Sequence, residues 1–251
     1  MLIINVFIGA TAVLQNSIKA PSSWEALLKD VTRAKNGTVY DLDPATFTGG
    51  YTGHAIHLKE GKTITINGNG IVLDAKETGH FFDVTDAAEL ILSRVTLRGG
   101  HNSDGDGGAI YAGGSSTINI YSSNLLSNTA SSGGAIYSYH STVNIHNSTF
   151  MNNSAYYQYK FGGGGAIYAT GGGYRVNIYS SIIDSNEATK YGGGICAQSS
   201  IVNIYNSTLM KGTAGAEGGA VYSTSRSVHI DSSTTIMSNS IPQIVNGSDA
   251  K

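Results

Sequence analysis

Proline is close to absent from this chain, with 3 residues among 251, and cysteine occurs once, as Cys196. A single cysteine excludes an intrachain disulfide and a cysteine-based zinc site. Charge is scarce as well: 13% of residues are Asp, Glu, Lys or Arg, and the formal net charge is −2. Nucleic acid binding needs a basic stripe against the phosphates, so nucleic acid is set aside as a partner. The 33 glycines follow no three-residue period, which rules out a collagen-like chain. The one long apolar run, Leu2 to Val13, is too short to cross a bilayer as a helix. It carries a cleavage-like Ala10-x-Ala12 step, yet no basic residue precedes Lys19, so residues 1–20 read equally as a leader or as an N-terminal strand. A hydrophobic content of 40% is enough to supply a core.

What the chain has instead is repetition. The phrase GGAIY stands at Gly107–Tyr111, Gly133–Tyr137 and Gly164–Tyr168, and returns as GGGIC at Gly192–Cys196 and GGAVY at Gly218–Tyr222. Its aliphatic anchors Ile110, Ile136, Ile167, Ile195 and Val221 are 26, 31, 28 and 26 residues apart. About ten residues after each anchor comes a second phrase: TINIYSS, TVNIHNS, RVNIYSS, IVNIYNS and SVHIDSS. A third, FMNN-like phrase follows at Leu125–Asn128, Phe150–Asn153, Ile183–Asn186 and Leu209–Gly212, and slips by one residue near Ile236. Strict alternation in the middle phrase means strand, and three short strands bury nothing unless the units stack. The expected fold is therefore all-β, a single-stranded parallel β-helix with one repeat per coil. Ile118, Val143, Val176, Val202 and Val228 should stack, as should Ile120, Ile145, Ile178, Ile204 and Ile230. Asn128, Asn153 and Asn186 should form a ladder in a turn, each amide bonding the next, and the glycine pairs should sit at sharp bends.

The period fades upstream but persists. Phe81–Val84 fits the AIY slot and Leu90–Leu92 the NIY slot, giving about seven coils from Thr63 to Asn239. Residues 62–240 are thus the β-helix, residues 21–61 an N-terminal cap, and residues 241–251 a tail or C-terminal cap. Within the cap, Ser22–Gly37 reads as a helix started by Ser22 or Ser23, with Trp24, Leu27, Leu28 and Val31 on one face and Asn36-Gly37 at its end. A solenoid's first coil exposes apolar surface and strand edges, and this helix is the candidate cover.

The pairing of GGAI with an FxxN phrase resembles the repeat of chlamydial polymorphic outer-membrane proteins and of adhesin-like microbial proteins. ITINGNGIVLDA resembles the first coils of the pectin-lyase-like superfamily. The resemblance implies a right-handed β-helix, secreted or on a cell surface, often serving adhesion.

A β-helix enzyme that cuts polysaccharides needs a base with acidic Ca²⁺ ligands, or a carboxylate pair, on one face of adjacent coils. The outward slots hold Asn119, Asn144, Asn177 and Asn203, then Tyr121, His146, Tyr179 and Tyr205. These eight are the candidate binding residues, offering amides and ring faces to a surface glycan or to a protein of a host or neighbouring cell. No catalytic residue, metal or cofactor is assigned. His229 and Asp231 read as polar surface, Cys196 as packing in a Tyr slot, and Asp104-Gly-Asp106 as a turn insert. The expected function is a non-catalytic adhesin-like or structural module. The rivals are a polysaccharide lyase or hydrolase, centred on Arg94, Arg98, His101, Asp104 and Asp106 with Asp74, Asp83 and Asp86 as additional candidates, and an ice-binding protein, which would favour regular Thr columns.

Overall fold

The computed structural model describes residues 20–48, 50–103, 105–156, 162–225 and 227–247. The leader region, Asp104 and most of the Ala155–Phe161 insert lie outside them. The chain winds into an all-parallel β-solenoid of four sheets, two of eight strands, one of seven and one of five. The NIY phrases form one eight-stranded sheet from Thr38–Asp41 to Val228–Ile230, with each strand paired to its equivalents one repeat away. The AIY phrases form the other, the FMNN phrases the seven-stranded sheet, and Thr129–Ala130 with its equivalents the short one. Register matches the repeat: Ile118, Val143, Val176, Val202 and Val228 pair in turn, as do Ile120, Ile145, Ile178, Ile204 and Ile230. Phe82 pairs with Ile110, and Leu90 with Ile118. Seven NIY-slot strands lie between Thr63 and Ile230, and Thr38–Asp41 adds one before them. The sheets also take in Ile56–Leu58 and Ile244–Asn246, on either side of the 62–240 span.

The core is one continuous aliphatic column, and Ile118, Ile120, Val143, Ile145, Val176 and Ile178 are all fully buried. Its corners are polar and equally buried. Ser123, Ser148 and Ser181 each donate their hydroxyl to the carbonyl two residues back, while Oγ of Ser148, Ser181 and Ser207 accepts the backbone N–H of Ser123, Ser148 and Ser181, each at 3.1 Å. The residue before each of these serines turns the corner in the left-handed region: Ser122, Asn147, Ser180 and Asn206 have φ of 47–49°. At the next corner Asn128 Nδ2 donates to Asn153 Oδ1, and Asn153 Nδ2 to Asn186 Oδ1, both at 2.9 Å. The same Oδ1 atoms accept backbone N–H groups, so these buried amides leave few polar atoms unmet. The slipped fifth copy is absorbed before Thr235: Ile236 pairs with Leu209, and Asn239 Oδ1 accepts from Gly212 N.

The first glycine of each pair has φ of 62–77°. The second is forced by proximity, since a Cβ on Gly134 would lie 2.2 Å from the Gly165 carbonyl oxygen of the next coil. The helix runs Trp24–Arg33 with Ser23 as N-cap, accepting from Ala26 N. It ends earlier than the Asn36-Gly37 signal predicts. Asn36 instead accepts the Thr63 N–H through its side chain at 2.7 Å, covering a donor of the first full NIY strand. Trp24 fixes the cap, its ring 5.3–5.8 Å from those of Tyr51, Phe81 and Phe82, with Nε1 donating to the His54 carbonyl. At the far end Val228, Ile230 and Ile236 are only partly buried.

Two glycine substitutions separate coil contact from chain flexibility. Gly134→Ala drives a methyl into the neighbouring backbone and should destabilise by roughly 3 kcal/mol or more. Gly172→Ala, where a Cβ meets nothing within 4 Å, should stay within about 0.5 kcal/mol of the parent in denaturant unfolding.

Candidate binding face

Alternation along the NIY strands turns Ile and Val inward and sends the residues between them outward. Like-on-like register then sets the outward residues in two adjoining columns, and all eight predicted residues fall in them. The amide column is a hydrogen-bonded chain. Asn203 Nδ2 donates to Asn177 Oδ1 at 2.7 Å, Asn177 to Asn144 and Asn144 to Asn119 at 2.8 Å. Asn119 Nδ2 donates to Glu89 Oε1 at 2.7 Å. All amide dipoles therefore point one way, and a carboxylate caps the positive end.

In the ring column, Tyr121 and His146 lie 5.0 Å apart, His146 and Tyr179 4.6 Å, and Tyr179 and Tyr205 5.2 Å, with ring planes within 14° of parallel. This changes what the column can offer. Rings stacked face to face along the solenoid axis cover one another's faces, so the expected ring faces for a sugar are not on display between coils. What points out is the ring edges, the hydroxyls and the imidazole. Asn119 is buried, while Tyr205 at the end of the row is exposed. Burial within the row lowers the His146 pKa below its ordinary 6.5.

The charged stretch on which the rival enzymatic reading would centre is dispersed among the described residues. Arg94 donates to Asn69, Arg98 pairs with Asp74 at 2.7 Å, and the His101 ring lies over Tyr156 at 6.4 Å. Asp106 is half-buried and hydrogen-bonded to Ser132, with burial raising its carboxyl pKa. Asp83 lies between His57 and His80, 2.9 Å from each. Asp231 accepts from Asn206 N and Thr234 Oγ1, closing the last corner. Among the described residues no group of three or more His, Cys, Asp or Glu is placed to hold a metal ion.

A second ring row, not singled out from the sequence, runs along the AIY sheet. Tyr111, Tyr137 and Tyr168 stack at 5.5 and 5.2 Å, and Cys196 and Tyr222 continue the column. The fifth letter of each GGAIY phrase was its signal. Cys196 is wholly buried there, and burial pushes its thiol well above the usual range. It packs, as the sequence indicates.

The comparisons come to bear on this repeat. Residues 147–170 match the Chlamydia polymorphic membrane protein repeat. The matched stretch runs from the NIY–FMNN corner through the insert to the next GGAIY strand. This chain is a parallel β-helix whose repeat resembles that of the chlamydial polymorphic membrane proteins. No curated protein and no solved structure matches it.

Two measurements test these environments. His146 has a lower pKa folded than unfolded, so the unfolded chain binds more protons below about pH 6.5. Its contribution to stability is complete above that pH and declines as pH falls. His146→Phe keeps a ring in the stack and should flatten the fall in Tm between about pH 7 and 5. Cys196 in the native protein should resist alkylation by iodoacetamide at neutral pH and react once the chain is unfolded. Rapid native labelling would contradict the buried packing role.

Proposed function

We propose that this protein is a non-catalytic β-helix displayed at or released from a cell surface, acting as an adhesin-like module through the NIY face. The observation that carries this reading is the pair of parallel ladders. Four amides and four rings stand in register along the axis, presenting a hydroxyl, ring edge or imidazole once per coil. The repeat's likeness to polymorphic membrane proteins supports surface display. The ligand that suits such a row is an extended chain with its own repeating hydroxyls or amides, lying along the solenoid axis. A surface glycan has that form, and so does an exposed strand of a partner protein. Contact is made by hydrogen bonding to ring hydroxyls and spare amide valences rather than by stacking on ring faces.

The stacked geometry dictates the variant. Tyr121→Phe/Tyr179→Phe/Tyr205→Phe removes the hydroxyls while preserving the stack, so Tm should hold. Binding to a glycan array or to cells should fall about tenfold or more. The two columns carry no formal charge when His146 is neutral, so binding should also survive about 1 M salt, where the screening length is near 3 Å. Unchanged binding by the triple variant would reject this face as the site.

A further inference from the structure

The FMNN sheet is one strand shorter than the NIY and AIY sheets, and it ends at Val72–Asp74. The cap end supplies a strand to each of the other two, Thr38–Asp41 and Ile56–Leu58, but none to this one among the described residues between them. Pro44 has no N–H to give a ladder, and the chain turns on itself there. The Asp43 carboxylate accepts Ala45 N at 2.9 Å, and the Asp43 carbonyl accepts Phe47 N at 2.8 Å. The edge of Val72–Asp74 is therefore open. Ile71 O accepts Thr96 N and Ala75 N donates to Arg98 O, both at 2.9 Å. Alternate residues of a parallel strand bond to the same neighbour, so Leu73 shares that side. The N–H and C=O groups of Val72 and Asp74 point the other way, and no hydrogen-bond partner meets them among the described residues.

A pocket of about 260 Å³ lies along that strand, with Pro44, Phe47, Thr48 and Tyr51 of the cap on its other side. Its apolar surface is reachable: Val72 is 52% exposed, and Phe47 and Tyr51 are only half-buried. Tyr51 is held in place, its hydroxyl donating to the His80 carbonyl at 2.6 Å. An open strand edge with apolar side chains beside it fits one kind of guest, an extended peptide whose own backbone continues the ladder.

Area and tether name the peptide. A stable interface between separate proteins buries about 800 Å² on each partner, far more than a three-residue edge and a pocket of this size present. A segment tethered to the same chain needs no such area, because the tether keeps its local concentration high. Thr48, in the pocket lining, donates its N–H to the Ser22 carbonyl at 2.9 Å, so the chain that precedes Ser22 starts beside the pocket. Leu14–Lys19 reaches up to about 20 Å when extended, and before it stands the apolar run Leu2–Val13. That run is rich in β-branched residues, and Ile4, Val6 and Ile8 would share one side of an extended chain. We infer that the open edge of Val72–Asp74 is the docking site of the chain's own Leu2–Val13 run, which pairs there as the eighth strand of the FMNN sheet and covers Val72, Phe47 and Tyr51. The site does not depend on the proposed role of the NIY face.

Amide hydrogen exchange by NMR on the full chain, purified with its mature N-terminus and its mass measured, reads the edge directly. The Val72 and Asp74 amides should exchange at least about tenfold more slowly than unpaired amides, at a rate independent of protein concentration. Nuclear Overhauser contacts should join the methyls of Ile4, Val6 or Ile8 to the Phe47 or Tyr51 ring. Val6→Asp/Ile8→Asp puts charge into the docked run and should return both edge amides to the fast rate, while the Leu73 and Leu97 amides, bonded within the sheet, stay slow. Fast exchange at Val72 and Asp74 in the parent, protection that the double variant leaves unchanged, protection that rises with protein concentration, or a mature chain from which the run has been cleaved would each overturn the assignment.

Discussion

Parallel pairing of each strand with its own equivalent one repeat later is the constraint on which the rest of this molecule depends. A repeat of this size cannot bury three short strands by itself, so coils hold their shape only against one another. Because the register is like on like, every choice of residue is multiplied along the axis. An aliphatic residue becomes a column, an asparagine a chain of amides, a tyrosine a stack of rings. Lateral variation, such as the extra residue before Thr235, is taken up at corners where it does not disturb the columns.

The polar interior follows from the same constraint. A chain that turns several times per coil must bury backbone N–H and C=O groups at each corner, and these need partners. The Ser and Asn ladders supply them with side chains short enough to remain inside: Asn128 and Asn153 are fully buried, yet their amides bond one another and the backbone. The glycine pairs solve the complementary problem, where backbone approaches backbone too closely for any Cβ. The ends cannot use this scheme. At the N-terminal end Trp24, Tyr51, Phe81 and Phe82 form an aromatic cluster beneath the helix, and Asn36 covers the Thr63 N–H.

Regularity also sets what kind of site the molecule can build. Along the body, repetition yields an extended row of amides and rings that carries no formal charge when His146 is neutral. At the cap, where the columns lose their pattern, unlike residues meet. His57 and Asp83 occupy the same column as Tyr111, but as a polar contact of 2.9 Å rather than a ring stack.

Most of the architecture was legible in the sequence because its period is the physical period of the fold. Alternation in Val143–His146 decided which side chains face the core, and the spacing of Ile110, Ile136 and Ile167 decided which residues lie above which, so the eight outward residues were placed correctly in two columns. The Asn128–Asn153–Asn186 ladder was readable for the same reason. Orientation about each side chain was not, since periodicity fixes position and not torsion. Only the tertiary structure decided that the rings of Tyr121, His146, Tyr179 and Tyr205 cover each other's faces, and that the amides beside them bond along the axis. It also decided the fate of the charged stretch after Arg94, whose members are close in sequence but diverge around a corner to Asn69, Asp74 and Tyr156. Asn36 shows the same limit, because a residue that ends a helix by its type was claimed by a strand edge 27 residues away. Where no repeat carries a residue to its neighbour, as for Trp24, Tyr51 and Phe81 at the cap, contact depends on how the helix closes over the first coil, and no local pattern encodes that.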